Sequence, residues 1–151
     1  MSAVFAFLHH IAAFALVSAL AIEFALIRSE LTVRNARALR LADLVYGASA
    51  AAILTVGLLR VLYFEKGAGY YFHSAPFVAK LLLFASIGLL SIYPTVQFLS
   101  WRASLKQGSV PAVEPATIRA IRALIVWEFA GLVALVLCAA LTARGIGYVG
   151  A

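Results

Sequence analysis

Between Val4 and Thr142 the chain alternates long apolar runs with short polar breaks. A bilayer core of about 30 Å takes roughly 20 residues of helix to cross. Four runs are that long: 4–27, 43–64, 77–99 and 121–142. The breaks are rich in Arg, Gly, Pro and Ser. The pattern predicts an all-α fold, an integral membrane four-helix bundle filling residues 1–151 as a single transmembrane domain, with no room for a soluble one. In "KQGSVPAVEPAT" (106–117), Pro111 and Pro115 keep either neighbouring helix from continuing. Pro94 falls inside the third run and predicts a kink or an early helix end near 90–94.

Positions three, four and seven apart share a helix face. On that period His9, Ala13, Leu16, Leu20 and Glu23 form one stripe, and Tyr46, Ser49, Ala50, Ile53, Gly57 and Arg60 another. Lys80 lines up with Phe84, Ile87, Ser91 and Pro94; Glu128 lines up with Gly131, Leu135, Cys138 and Thr142. Small residues let helices approach closely in lipid, so these stripes are expected to face one another. His10 lies about 100° round from His9, toward a different neighbour.

Composition removes the soluble alternatives. The chain is 65% hydrophobic and 12% charged, against roughly 45–50% and 25% in soluble domains. Its mean hydropathy is +1.04. The first run is too long for a signal peptide and has no basic residue before it, so an uncleaved span is expected. Cys138 stands alone and forms no intrachain disulfide or thiolate metal site; it reads as a packing residue.

The net charge of +6 is unevenly placed. Arg28, Arg34, Arg37 and Arg40 flank the first break, and Arg102, Lys106, Arg119 and Arg122 the third. The positive-inside rule then puts those loops in the cytoplasm and both termini outside. The setting is a multi-pass protein of a bacterial inner (plasma) membrane. The basic residues face anionic membrane lipid, and nucleic acid is not a partner.

This topology brings His9, His10, Arg60, His73 and Lys80 to one level near the outer face, and puts Glu23 and Glu128 in the cytoplasmic half. Plainer readings stand beside each. Arg60 and Lys80 are near enough to the interface to snorkel, and Tyr70, Tyr71 and Phe72 make an interfacial aromatic belt. Glu23 and Glu128 are within reach of Arg28 and Arg122. An unpaired central charge costs about 2.5–3.5 kcal/mol on insertion scales, which marks intramembrane carboxylates as functional or paired. No zinc-binding histidine pair, phosphate loop or nucleophile elbow occurs. Histidine and lysine at one level of a bundle core are donors of the kind that hold haem or another redox cofactor.

"FLHHIAAFALVSALAIEFALIR", "GLLRVLYFEKGAGYYFHSAPFVAKLLLF" and "GLLSIYPTVQFL" together resemble a bacterial family of small four-span membrane proteins, over nearly the whole chain. "LHH" (8–10) and "FVAK" (77–80) are also similar to elements of HemJ-type protoporphyrinogen oxidases and, more distantly, of CopD-like membrane proteins. That resemblance implies haem b between spans one and three, with His9 (or His10) and Lys80 as iron ligands. Arg60, with Lys66 or Arg144, would meet the propionates. The third span has Gly88 and then "LLSIYP" where HemJ-type proteins carry a Gly-Tyr-His element. The likeness thus implies haem binding more directly than porphyrinogen oxidation.

The expected activity is electron transfer, or oxidation of a porphyrinogen-like or quinol-like substrate, as in a HemJ-like oxidoreductase. The rival expectations are a small proton- or metal-coupled transporter using Glu23 and Glu128 as a relay, and a haem-free accessory subunit. The electron donor or acceptor, and association into a homo-oligomer, are left unspecified by the sequence.

Overall fold

The computed structural model describes residues 2–64 and 73–146. Lys66 and the Tyr70–Phe72 run fall outside them. Helix α1 spans Ser2–Leu26 and α2 spans Val33–Leu59, continuing through a π turn at Arg60–Phe64. Helix α3 covers Ala75–Ser100, the short α4 Arg102–Lys106, and α5 Pro115–Ala143. Among the described residues, four helices are long and apolar enough to cross a membrane. The protein is an all-α membrane bundle.

Local signals explain where the helices start. The Thr32 hydroxyl accepts from the Asn35 backbone N–H at 3.1 Å and caps α2. Pro76 and Pro115 occupy the first turns of α3 and α5, where a missing N–H costs nothing. At the basic end the helices outrun the apolar stretches. Helix α2 begins ten residues before position 43 and α5 six before 121, because a helix in progress keeps its backbone bonds satisfied into the interface. The expectation that the third helix ends near Pro94 is corrected: α3 runs through Pro94 to Ser100, with the proline ring buried in the core. Proline forfeits one intrahelical bond, and the packing of neighbouring helices holds the rest of the turn.

Helix α1 packs along α2, and α3 along α5. The two pairs meet more sparsely, α2 beside α3 and α1 beside α5. Helices α1 and α3, and likewise α2 and α5, stand on the diagonals of the square, with no backbone approach between them among the described residues. Side chains from diagonal helices therefore meet only through the bundle centre.

Core packing is concentrated toward the basic end. Leu16, Leu20, Leu39, Ile87, Phe98, Trp101, Ile121 and Ile125 are buried there, with Phe98 and Trp101 edge-to-face at 5.0 Å between centroids. Phe14 and Val133, each 71% exposed, belong to a broad apolar exterior. On a soluble monomer such an exterior would drive aggregation; here it is the lipid-facing surface. Since lipid is as apolar as leucine, cohesion comes from dispersion contacts, small residues and polar side chains between helices. Gly131 supplies one such approach: a Cβ there would meet Ile87 Cγ1 at 2.8 Å.

Candidate functional site

None of the residues in the four polar stripes is exposed; all are buried or half-buried. They gather into two groups at opposite ends of the bundle.

At the end away from the basic loops, His9 on α1 and Lys80 on α3 line one cleft of about 120 Å³. These helices are diagonal, so the cleft lies across the bundle centre. Apolar walls come from Ile53, Leu54, Gly57, Leu58 and Val61 on α2, and from Phe77, Leu81 and Phe84 on α3, with Leu135 and Ala139 of α5 closing it. His9 is half-buried and its ring approaches the Ile53 backbone. Its Nδ1 is buried with no hydrogen-bond partner among the described residues. Gly57 makes room for the ring: a Cβ at that position would lie 3.4 Å from His9 Cε1. Arg60 and Lys80 are both close enough to act on His9 electrostatically. The Lys80 ammonium also sits over the Phe77 ring, 4.9 Å from its centroid. The π turn at Arg60–Phe64 adjoins the cleft, a helix defect often found at functional sites.

His10 is elsewhere. It is exposed, and its Nδ1 lies 2.6 Å from the Ala6 carbonyl one turn back. Its ring stands edge-on to His9, with centroids 6.2 Å apart. His73 is exposed, and Arg144 caps α5 in an exposed position. Of the outer-level residues predicted from sequence, His9, Arg60 and Lys80 therefore come together while His10, His73 and Arg144 stay apart from the cleft.

The second group lies in the well-packed half. Glu23 on α1 and Glu128 on α5 are 3% and 1% exposed, and Asp43 on α2 is 8% exposed. The three carboxyl groups feel one another electrostatically. The Tyr46 hydroxyl donates to Glu128, across the α2–α5 diagonal. Asp43 Oδ1 accepts from the Thr95 hydroxyl at 2.6 Å. One oxygen of each glutamate, Oε1, is buried without a partner among the described residues.

Arg28 and Arg122, partners of these glutamates in one of the plainer readings, make other contacts. The Arg28 guanidinium lies over the Phe24 ring of its own helix end at 3.8 Å, and Arg122 Nε donates to the Ile27 carbonyl at 3.0 Å. Only the Arg122 contact ties one helix end to another. No group of three or more His, Cys, Asp or Glu side chains able to hold a metal ion occurs among the described residues.

Sequence reasoning missed Asp43, which marked the start of the second apolar run and read as a boundary. Its signal was the spacing to Tyr46, three residues on and on the same face. With α2 starting at Val33, Asp43 stands almost three turns inside the helix.

The chain belongs to the DUF2214 family of predicted membrane proteins, which matches it over residues 1–147. No curated protein and no solved structure matches it.

Proposed function

We propose that this protein binds one haem b near the end of the bundle opposite its basic loops, and serves as a small redox carrier or oxidoreductase of the membrane. The observation that carries the reading is the meeting of His9 and Lys80, from diagonal helices, in one apolar cleft where His9 Nδ1 is buried and has no hydrogen-bond partner among the described residues. The donor set suits the group: imidazole is a common axial ligand of haem iron, and an uncharged lysine amine can supply the second electron pair. Gly57 cradles the imidazole, and the Arg60 guanidinium matches propionate geometry. At about 120 Å³ the cleft is below the usual 300–1,000 Å³ of ligand pockets. A macrocycle therefore does not fit the cleft as it stands, and its binding requires the walls to part. Haem when bound supplies one-electron exchange. The chain's own residues orient the donors, exclude water with Phe77, Phe84 and Leu135, and set the charge nearby through Arg60.

With the eight basic loop residues in the cytoplasm, the haem lies toward the outer face and both termini are outside. Protein purified in detergent from haem-replete cells should show a Soret band. His9→Ala and Lys80→Ala should each abolish or shift it, whereas His10→Ala leaves it nearly intact. Wild-type protein that stays colourless after haem is added would overturn the reading.

A second reading rests on the Oε1 atoms of Glu23 and Glu128, buried and without a hydrogen-bond partner among the described residues. With Asp43 they gather three carboxyl groups in one buried cluster, which suits the sharing and passing of protons in a proton-coupled transporter or an accessory subunit. Reconstituted vesicles would then show proton movement that Glu128→Gln removes and His9→Ala does not.

A further inference from the structure

We propose that the basic end of the bundle carries a specific site for one anionic phospholipid, its phosphate held by Arg37, Arg40, Arg102 and Lys106 and one acyl chain lying between α2 and α3. Two concavities meet there. The first, about 370 Å³, is lined by those four cations and Leu105, with no carboxylate among its lining residues. The second, about 380 Å³, runs on from it between α2 and α3, past Leu44, Gly47, Ala48 and Leu99. Arg40 lines both.

Four cations crowded round one concavity repel one another, and a phosphate reverses the sign of that interaction. Guanidinium groups grip phosphate oxygens through paired N–H donors, more specifically than ammonium does. Arg40 has such a donor in reserve: its Nε is buried and has no hydrogen-bond partner among the described residues. Arg37 is already oriented, since one of its terminal nitrogens donates to the Leu105 carbonyl at 3.1 Å and ties α2 to α4. Asp43 is close enough to Arg40 to act on it electrostatically. It lies in the groove, one turn deeper, with Oδ1 engaged by Thr95.

The groove identifies the phosphate as a lipid's. Leu44 and Leu99, which line it, are 67% and 56% exposed to the bilayer, while Gly47 and Ala48 leave space for a chain. From Arg37 to Ala48 the helix rises about 16 Å, close to half of the roughly 30 Å hydrocarbon core. Headgroup pocket and groove together thus span one leaflet. By the positive-inside rule that leaflet faces the cytoplasm, where basic pockets between helices recruit anionic lipid. The sparse packing of α2 on α3, against the close α1–α2 and α3–α5 pairs, is what leaves the groove open.

The test uses delipidated full-length protein in detergent. Phosphatidylglycerol, phosphatidylcholine and inorganic phosphate are added separately, with native mass spectrometry and thermal unfolding as readouts. One retained phosphatidylglycerol per chain, a raised Tm and no comparable effect of the other two are expected. Arg40→Gln combined with Arg102→Gln should weaken retention at least tenfold. Arg119→Gln, a charge at the same end outside the pocket, should not. Gly47→Leu keeps every cation but fills the groove, and should weaken phosphatidylglycerol retention several-fold. Equal retention of phosphatidylcholine, or equal loss in Arg119→Gln, would overturn the proposal in favour of a general basic surface. An equal effect of inorganic phosphate, or unchanged retention in Gly47→Leu, would overturn it in favour of a soluble-anion site. Circular dichroism of each variant confirms that the helices are intact before retention is read.

Discussion

In the half of the bundle nearest the basic loops, all four long helices press large side chains into one core, and Phe98, Leu20, Leu39, Ile121, Ile125 and Glu128 are almost wholly enclosed. Among the described residues of the other half the buried set thins to Phe77, Ser74 and Thr142, and the centre holds a cleft with a histidine and a lysine in its walls. The charge pattern is crossed as well. The carboxyl groups lie inside the half whose loops are basic, and the cationic side chains inside the half whose loops are not. A membrane protein cannot draw on the hydrophobic effect between helices. The dense half is thus where dispersion and buried hydrogen bonds hold the bundle together, and the looser half leaves room for the cleft.

Cavity-forming substitutions test that division most strongly. Phe98→Ala should cost about 2–4 kcal/mol, at or below the range for soluble cores because the unfolded side chain stays in lipid. Phe84→Ala, in the wall of the outer cleft, should cost roughly a third of that. Equal losses in steric-trap or denaturant unfolding in bicelles would erase the distinction.

Gly131→Val sharpens it next. The new side chain drives into Ile87 on α3, and overpacking of this kind costs about 1–3 kcal/mol. Stability should fall while the outer end keeps any ligand spectrum, which thermal unfolding and absorbance together would show.

The carboxyl cluster separates chemistry from packing. Glu128→Gln keeps an acceptor for Tyr46 and should change stability by under about 1 kcal/mol. Glu128→Leu leaves that buried hydroxyl unpaired, at a cost of about 1–3 kcal/mol. If both variants were equally stable, the tyrosine contact would have no structural weight.

The smallest effect is expected at Gly57. A Cβ there touches His9 without overlap, so Gly57→Ala should shift stability by a few tenths of a kcal/mol or less. A large loss of stability would show the outer half to be as tightly packed as the inner.

The four crossings, their order and their inward faces were legible in the sequence, because each depends on apolar length and a 3.6-residue period that lipid enforces along one helix at a time. Mean hydropathies from 1.7 to 2.4 leave little ambiguity about the spans. His9, Lys80, Glu23 and Glu128 stood out for the same reason, as polar groups in hydrocarbon. Which helices neighbour each other and which sit on diagonals was not legible, since that is decided by how side-chain surfaces interlock around the whole bundle. Nor was it legible which of His9 and His10 lines the cleft: both are on one helix, and only the packing of α1 against its neighbours turns His9 inward and leaves His10 exposed. Asp43 and the Arg37–Arg40–Arg102–Lys106 pocket emerge only in three dimensions. An acid at the edge of an apolar run, or arginines in separate loops, acquires meaning from the partner helix that closes over it or leaves a gap beside it.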